Sequence, residues 1–273
     1  DRVPFHEASS KDLPMSIAAM LEPIAGDGAS VTLPAEEWLQ GRTLYGGASA
    51  LVAYTAAIRA FPDLPPLRSA QVAFVAPVGA QVTPQVELIR QGRNVTQVRV
   101  DLLVDGKPGL SSLWLFGAAR EPNGVHRAPP VSPAPVPFDE AEPMMVGKGP
   151  AFIQHQFEIR RAEAAGGHEE APVMRRWVRL KNDDGLDSIS RSILLGDVNA
   201  PSAIRVMERE GPLSSMNWAL NILEPEAETR EGWWLAETAS DHADAGYSSE
   251  RLRLWNADGQ LAMIGQQAVA VFG

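Results

Sequence analysis

With no cysteine among the 273 residues, disulfides, thiolate metal ligands and a cysteine nucleophile are all excluded, and any chemistry falls to Ser, Asp, Glu, His or Gln. A serine nucleophile of the α/β type needs Gly-x-Ser-x-Gly at a strand-to-helix turn, and the nearest string, Gly47-Ala48-Ser49-Ala50-Leu51, lacks the second glycine. Spaced His and carboxylate clusters are missing, so no catalytic metal and no cofactor are expected, and Asp183-Asp184 with Asp187 reads as a solvated acidic turn. Arg175-Arg176 with Arg179 and Lys181 is the clearest basic cluster. It could meet phosphates, although a strand with Trp177 and Leu180 turned inward would give the same string. Gly46-Gly47 opens a helical stretch, where backbone N–H groups without intrahelical partners can polarise a carbonyl; tight packing would explain the glycines equally well.

The elements that must position such groups follow from the pattern. Lys+Arg number 24 against 34 Asp+Glu, a net charge of -10 that argues against a nucleic-acid partner. Hydrophobic residues at 45% can bury a core, and the longest apolar run, Gly47 to Ala57, is far short of the roughly 20 residues that span a bilayer. No charged and apolar leader is visible at Asp1 to His6, so a cytoplasmic location and no membrane partner are expected. Eight of the 22 prolines fall between Arg120 and Pro150, which predicts an extended connector and the division 1–119, 120–150 and 151–273.

Each half then reads in the same order. In the first, a strand candidate at Ser30 to Leu33 precedes a buried Ala-rich helix through Ile58. Strand-like runs follow at Ala70 to Ala76, Gln81 to Arg90, Val95 to Val104 and Leu110 to Phe116, with turns at Gly92-Arg93-Asn94 and Asp105-Gly106. In the second, strands at Phe157 to Arg160 and Arg176 to Leu180 lead to an apolar segment, Ile193 to Met207. Runs at Met216 to Leu223, Trp233 to Thr238, Arg251 to Trp255 and Leu261 to Phe272 complete it. The halves overlay at two anchors, Val72 to Pro77 on Leu220 to Pro225 and Val104-Asp105-Gly106 on Ala257-Asp258-Gly259. From proline to glycine is 29 residues in one and 34 in the other, which fits a duplicated α+β domain with one longer loop.

These residues resemble the acyl-CoA thioesterase II family, whose chains fuse two hotdog folds, each a central helix wrapped by a curved antiparallel sheet. The likeness rests on Leu44-Tyr45-Gly46-Gly47, Ala73 to Gly79, Arg90 to Asn94 and Asp105 to Pro108 in the first half. In the second it rests on Arg176 to Arg179, Leu194 to Asn199 and Leu261 to Ala268, and it covers roughly Leu39 to Phe116 and Phe157 to Phe272. It implies a double hotdog that hydrolyses acyl-CoA in fatty acid metabolism, with an Asp on the second central helix, a Ser or Thr on the next strand and a Gln on the last.

Residue by residue, the resemblance places these roles on Asp197, Ser215 and Gln267, with Ser214 the competitor for the hydroxyl and Gln266 on the opposite face from Gln267. Asp197 reads alternatively as a helix N-cap. Strand alternation sends Ser215, Asn217 and Ala219 to one face and Ser214, Met216 and Trp218 to the other. Tyr45, Gly46, Gly47, Asn199 and Asn217 are the candidate substrate-binding residues, and Leu51, Tyr54, Ile193 and Leu194 the candidate lining of the acyl chain. Asn217 and Leu223 depart from the family pattern. Counting by the anchors puts Trp114 where Gln267 stands and Ser49 where Asp197 stands, so one complete site per chain is expected. A hotdog hydratase would instead need a His with an acid, but His6, His126, His155 and His168 lie off both helices and His242 reads as a loop residue. A protein of this fold that binds acyl-CoA without turning it over is the second reading. Association into homo-oligomers is open, because sheet edges of this kind are usually paired or covered.

Overall fold

Alternating Val, Leu and Ile in the strand runs and an apolar surface all round one Ala-rich segment make a sheet that packs one face on helices. A computed structural model describes residues 14–144, 149–163, 172–183 and 185–273; His6, His168 and Asp184 lie outside the described residues. The first half contains α1 (Ile17–Leu21), β1 (Val31–Thr32), the short pair β2 (Leu39–Gln40) and β3 (Thr43–Leu44), and α2 (Gly46–Ala60). It continues with β4 (Leu67–Phe74), β5 (Gln81–Gln91), β6 (Val95–Val104) and β7 (Lys107–Gly117). The second half contains α3 (Ala151–Gln156), β8 (Phe157–Arg161), β9 (Val173–Leu180) and α4 (Ser188–Gly196). Then come β10 (Leu213–Ile222), β11 (Trp234–Asp244), β12 (Tyr247–Asn256) and β13 (Leu261–Val271). The chain is thus α+β. Among the described residues no helix is long and apolar enough to cross a membrane.

All strands except β2 and β3 join one sheet in the order β1-β5-β6-β7-β4-β10-β13-β12-β11-β9-β8. The halves meet where β4 pairs antiparallel with β10, and there Gln71 faces Ala219 while Val72 faces Trp218 and Ala70 faces Leu220. Those are the strands that the sequence anchors equate, in a register that sets position 71 opposite its own equivalent. At the hairpin between β6 and β7, Asp105 and Gly106 both take positive φ, 49° and 74°, as the tight two-residue turn requires.

The buried helix falls as expected: every residue of α2 from Gly47 to Ala57 is buried, and the helix packs against β5, β6 and β7. The second helix does not. The apolar run Ile193 to Met207 is two elements, since α4 ends at Gly196 and a separate 3-10 turn covers Ser202–Val206. The helix instead begins earlier, where Asp187 caps it by accepting from the Ser190 N–H at 3.0 Å. Asp183, the other described acid of that loop, pairs with Arg191 at 2.8 Å. The acidic turn is helix capping.

The connector also behaves differently from a simple spacer. Val131 and Val136 pack with buried Phe138 and Ala141 against Trp177, Trp233, Leu235 and Trp255, making a second core on the sheet face away from the helices. Three side chains hold it down: Trp177 Nε1 donates to the Val136 carbonyl at 2.7 Å, Arg160 to Phe138, and Arg175 to Ser132 and Pro133. Proline-rich chain has few backbone donors of its own, so the sheet supplies donors to its carbonyls.

This absorbs the basic cluster. Arg175 is buried against Glu237 at 2.6 Å, Arg179 pairs with Glu158 and lies over Trp233, and Lys181 donates to the Gln154 carbonyl. Removing Arg175 would leave Glu237 charged and buried without its cation, a defect that costs about 3–5 kcal/mol. Arg175→Ala should therefore lower the urea midpoint and expose the segment 131–144 to protease. Unchanged stability and unchanged cleavage would show that the connector is held by its apolar contacts alone.

Candidate active site

Asp197 comes from the irregular chain just beyond α4, at φ -115° and ψ 16°, and so is neither on the helix nor at its N-cap. Gly196 is there because space is short: a Cβ would lie 2.9 Å from Trp218 and would also collide with Met263. From this point Asp197 meets β13 and the first turn of α2. Gln267 Nε2 donates to Asp197 Oδ1 at 2.5 Å, and Ser215 Oγ donates to Gln267 Oε1 at 3.0 Å. The backbone N–H of Gly47 also donates to the Asp197 carboxyl. Asp197, Ser215 and Gln267 therefore form one directed chain of hydrogen bonds, hydroxyl to amide to carboxylate.

Ser215 reaches Gln267 because β10 breaks its alternation. A bulge lies between Ser215 and Asn217 in the pairing with β13, so Ser215 opposes Val269 while Trp218 opposes Gln267. Cross-strand partners share a face. Ser215 thus lies on the helix side with buried Trp218, Gln267 and Val269, whereas Asn217 is exposed and accepts from the Ala268 N–H at 2.9 Å. Plain alternation had grouped Ser215 with Asn217, and the extra residue at Met216 reverses that. Ser214 opposes Ala270 and is exposed, and Gln266 is exposed and turned to Ser249.

The two glycines are required by close approach. A Cβ on Gly46 would overlap Asp197 Oδ2 and lie 3.1 Å from Phe74, and one on Gly47 would lie 2.5 Å from the Leu194 carbonyl oxygen. The start of α2 is thereby pressed against the end of α4. Tyr45 belongs to the same joint: its ring stacks on Phe152 at 4.5 Å between centroids, and its hydroxyl donates to the Leu194 carbonyl at 2.5 Å. Burial and the nearby Asp197 charge push the Tyr45 hydroxyl well above its ordinary range, so it stays a neutral donor. Asn199 is buried and donates to the Ala236 carbonyl at 2.9 Å. Leu51, Tyr54, Ile193 and Leu194, the candidate acyl lining, are buried in the main core.

Asp197 keeps some accessible surface as a residue, yet protein surrounds its carboxyl. Loss of solvation raises its pKa from 3.8 to about 6, against the opposing hydrogen bonds from Gln267 and the Gly47 N–H. A groove of about 660 Å³ lies on the other face of the sheet, across the seam between Gln71, Leu113, Asn217 and Gln266. It is separated from the carboxyl by the strands themselves.

One further residue was legible and missed. On β12, Ser248, Glu250, Leu252 and Leu254 alternate inward, so a carboxylate on the buried face was visible in the period-2 pattern. Glu250 is fully buried and directly opposite Gln267. His126, His155 and His242 are exposed, and among the described residues no cluster of three His or carboxylate groups could hold a metal.

The profile of the acyl-CoA thioesterase N-terminal domain matches residues 34–117, and that of the C-terminal domain matches 130–271. The chain belongs to the acyl-CoA thioesterase family and is a thioester hydrolase. Solved structures agree in fold. A conserved hot dog fold protein of unknown function from Alicyclobacillus acidocaldarius superposes with a TM-score of 0.82 at 20% identity, covering 96% of this chain and 99% of that one. A putative thioesterase II from Thermobifida fusca gives 0.75 at 18% over 89% and 92% of the two chains. The tesB protein of Mycobacterium avium subsp. paratuberculosis gives 0.72 at 19% over 94% and 98%. Among curated proteins none matches.

The raised Asp197 pKa has a stability consequence. Between about pH 4 and 6 the folded protein holds a proton that the unfolded chain has released, so stability falls as pH rises through that window and the penalty is complete above it. Two pKa units correspond to at most about 3 kcal/mol. Asp197→Asn should flatten this slope in urea unfolding at pH 4.5 and 7.5. A slope equal to that of the wild type would place the Asp197 pKa near its ordinary value.

Proposed function

We propose that the chain hydrolyses acyl-CoA by water attack assisted by Asp197, in a double hotdog whose halves are residues 1–119 and 151–273 joined by the connector. Supporting the architecture are the pairing of β4 with its sequence equivalent β10 and the packing of α2 beside α4. The observation that carries the chemistry is the chain Ser215 to Gln267 to Asp197, ending on a carboxyl with a pKa of about 6.

Above that pH the carboxylate accepts a proton from water as the water oxygen attacks the thioester carbon. Gln267 uses its amide N–H to aim the carboxylate, and the Ser215 hydroxyl fixes the amide, leaving its own lone pairs for the attacking water. Gly47 spends its N–H on Asp197, so the N–H of Gly46, the first residue of α2 and without an intrahelical partner, is the donor for the developing oxyanion. As the tetrahedral adduct collapses, the carbon–sulfur bond breaks and the proton held by Asp197 passes to the thiolate, giving free acid and the CoA thiol. No acyl-enzyme forms.

Thiol release should be followed across acetyl- to palmitoyl-CoA and an aryl thioester. Asp197→Ala is expected to lose about 100-fold or more in kcat. Ser215→Ala and Gln267→Ala should each fall by less, while Ser214→Ala and Gln266→Ala stay near wild type. The acid limb of kcat should rise through about pH 6, since the base must be ionised. Absence of release from every thioester, with acyl-CoA still bound, would sink the catalytic reading and leave a binding protein.

A further inference from the structure

Asp197 has two anchors on its carboxyl, but its backbone has left the hydrogen-bond ladder of α4 and enters irregular chain as far as the turn at Ser202. What holds that chain is the sheet beneath it. Asn199 Nδ2 donates to the Ala236 carbonyl and Thr238 Oγ1 to the Ala200 carbonyl at 3.1 Å, both on β11. At the far end Glu250 takes over: Oε2 accepts from the Ser202 N–H at 3.0 Å and the Ser202 hydroxyl at 2.7 Å. Its Oε1 accepts from the Ala203 N–H at 3.0 Å and the Ser248 hydroxyl at 2.8 Å.

Four donors converge on one fully buried side chain, and no described cation pairs with it. Such an arrangement suits a carboxyl group rather than an amide, because each oxygen meets a backbone N–H and an amide N–H on either side would face another donor. Glu250 is also the cross-strand partner of Gln267. The two sequence anchors set Gln267 over Trp114, and Trp114 faces Val98 on β6. In the first half, therefore, an apolar pair stands where Glu250 and Gln267 stand in the second. A buried carboxylate is costly unless satisfied, and among the described residues the buried glutamates, Glu237 and Glu250, both lie in the half that carries Asp197.

We infer that Glu250 is a positioning residue for the hydrolysis, pinning the segment 197–203 to β12 so that the Asp197 carboxylate is held in line with Gln267. The circuit is closed: Asp197 to Gln267 by hydrogen bond, Gln267 to Glu250 across the ladder, Glu250 to Ser202 by hydrogen bond, and Ser202 back along the chain to Asp197. Each end of the segment is fixed to neighbouring positions of the same two strands. Release of the Ser202 end lets Asp197 move relative to the water it must activate, and lets solvent reach its carboxyl. Among the described residues the titratable group that feels the Asp197 charge is Tyr45, a neutral donor at the start of α2, while Glu250 lies on the next strand, opposite Gln267.

This rests on the Asp197 reading, and the test separates the two. Glu250→Gln keeps the shape but sets an amide N–H against the Ala203 N–H. Expected is a fall in kcat of about 10- to 100-fold, the scale of an ångström of misplacement, with KM within about twofold. The Asp197 carboxyl, followed by carbon-13 NMR and assigned by its absence in Asp197→Asn, should titrate below its wild-type value as water reaches it. Glu250→Asp, which keeps an acceptor-only group, should restore part of both. Should Glu250→Gln fail to fold, Ser202→Ala removes one of the four bonds and should shift the same two readouts in the same direction by less. An unchanged kcat and unchanged Asp197 titration in a folded variant, even with a lowered Tm, would overturn the inference and leave Glu250 a structural group. If the wild type releases no thiol, the hydrolytic reading fails, and the Asp197 titration alone still decides whether Glu250 positions it.

Discussion

A carboxyl group taken out of water sets the terms for the structure around it. Losing solvation disfavours the charged form, and only close, correctly directed donors recover part of that cost. The Asp197 carboxyl has one such donor from Gln267 and one from the Gly47 backbone, and its pKa still stands at about 6. For the backbone donor to reach it, α2 must begin within contact distance of the end of α4, which is why neither Gly46 nor Gly47 tolerates a Cβ. Tyr45 and Phe152 stack behind the joint and close it to solvent. The tight helix contact and the electrostatic role of the glycines, alternatives at the level of sequence, are one arrangement.

That arrangement needs a rigid sheet, and the seam supplies it. Because β4 and β10 pair through the centre, the apolar core runs unbroken from Ile17 and Trp38 in the first half to Leu254 and Met263 in the second. The connector then covers the opposite face at the far edge, with the Arg175–Glu237 pair beneath it. Buried ion pairs are weak sources of net stability but unforgiving of the wrong partner. Their effect here is to fix where the proline-rich chain lies.

The strands and the first helix were legible because their signals are local: period-2 alternation, an Asp-Gly turn, an apolar surface on every side of α2. The trio Asp197, Ser215 and Gln267 was legible through resemblance, with spacing counted from Pro225 and Gly259. What counting missed were the breaks. Nothing local in Ser214-Ser215-Met216-Asn217 marks a bulge, since the extra residue is set by pairing with β13. The end of α4 at Gly196 was hidden because Val198, Ala203 and Ile204 continue an apolar pattern while the backbone turns away to bond with β11 and β12. Ser49, counted as the equivalent of Asp197, lies in the first turn of α2 and donates to the Gly46 carbonyl, nowhere near the end of its helix.

That last mismatch accounts for why, among the described residues, the first half has no counterpart of the hydrogen-bonded trio Asp197, Ser215 and Gln267. In the second half the helix stops at Gly196 and frees Asp197; in the first, α2 runs on without interruption to Ala60. The matching place beside the start of α4 is taken by α2 itself, where Tyr54 lies close enough to Asp187 to feel its charge. Around Tyr54 the equivalent of Gln267 is aromatic: Trp114 lies 5.5 Å from it between centroids, and Phe116 lies 6.3 Å away. Aromatic side chains of that size leave no room for water. The burial and nearby negative charge that raise the pKa of Tyr54 keep its hydroxyl neutral. One half therefore spends the position on packing, and the other, with Glu250 and Gln267 in place of Val98 and Trp114, spends stability on a carboxyl that can take a proton near neutral pH.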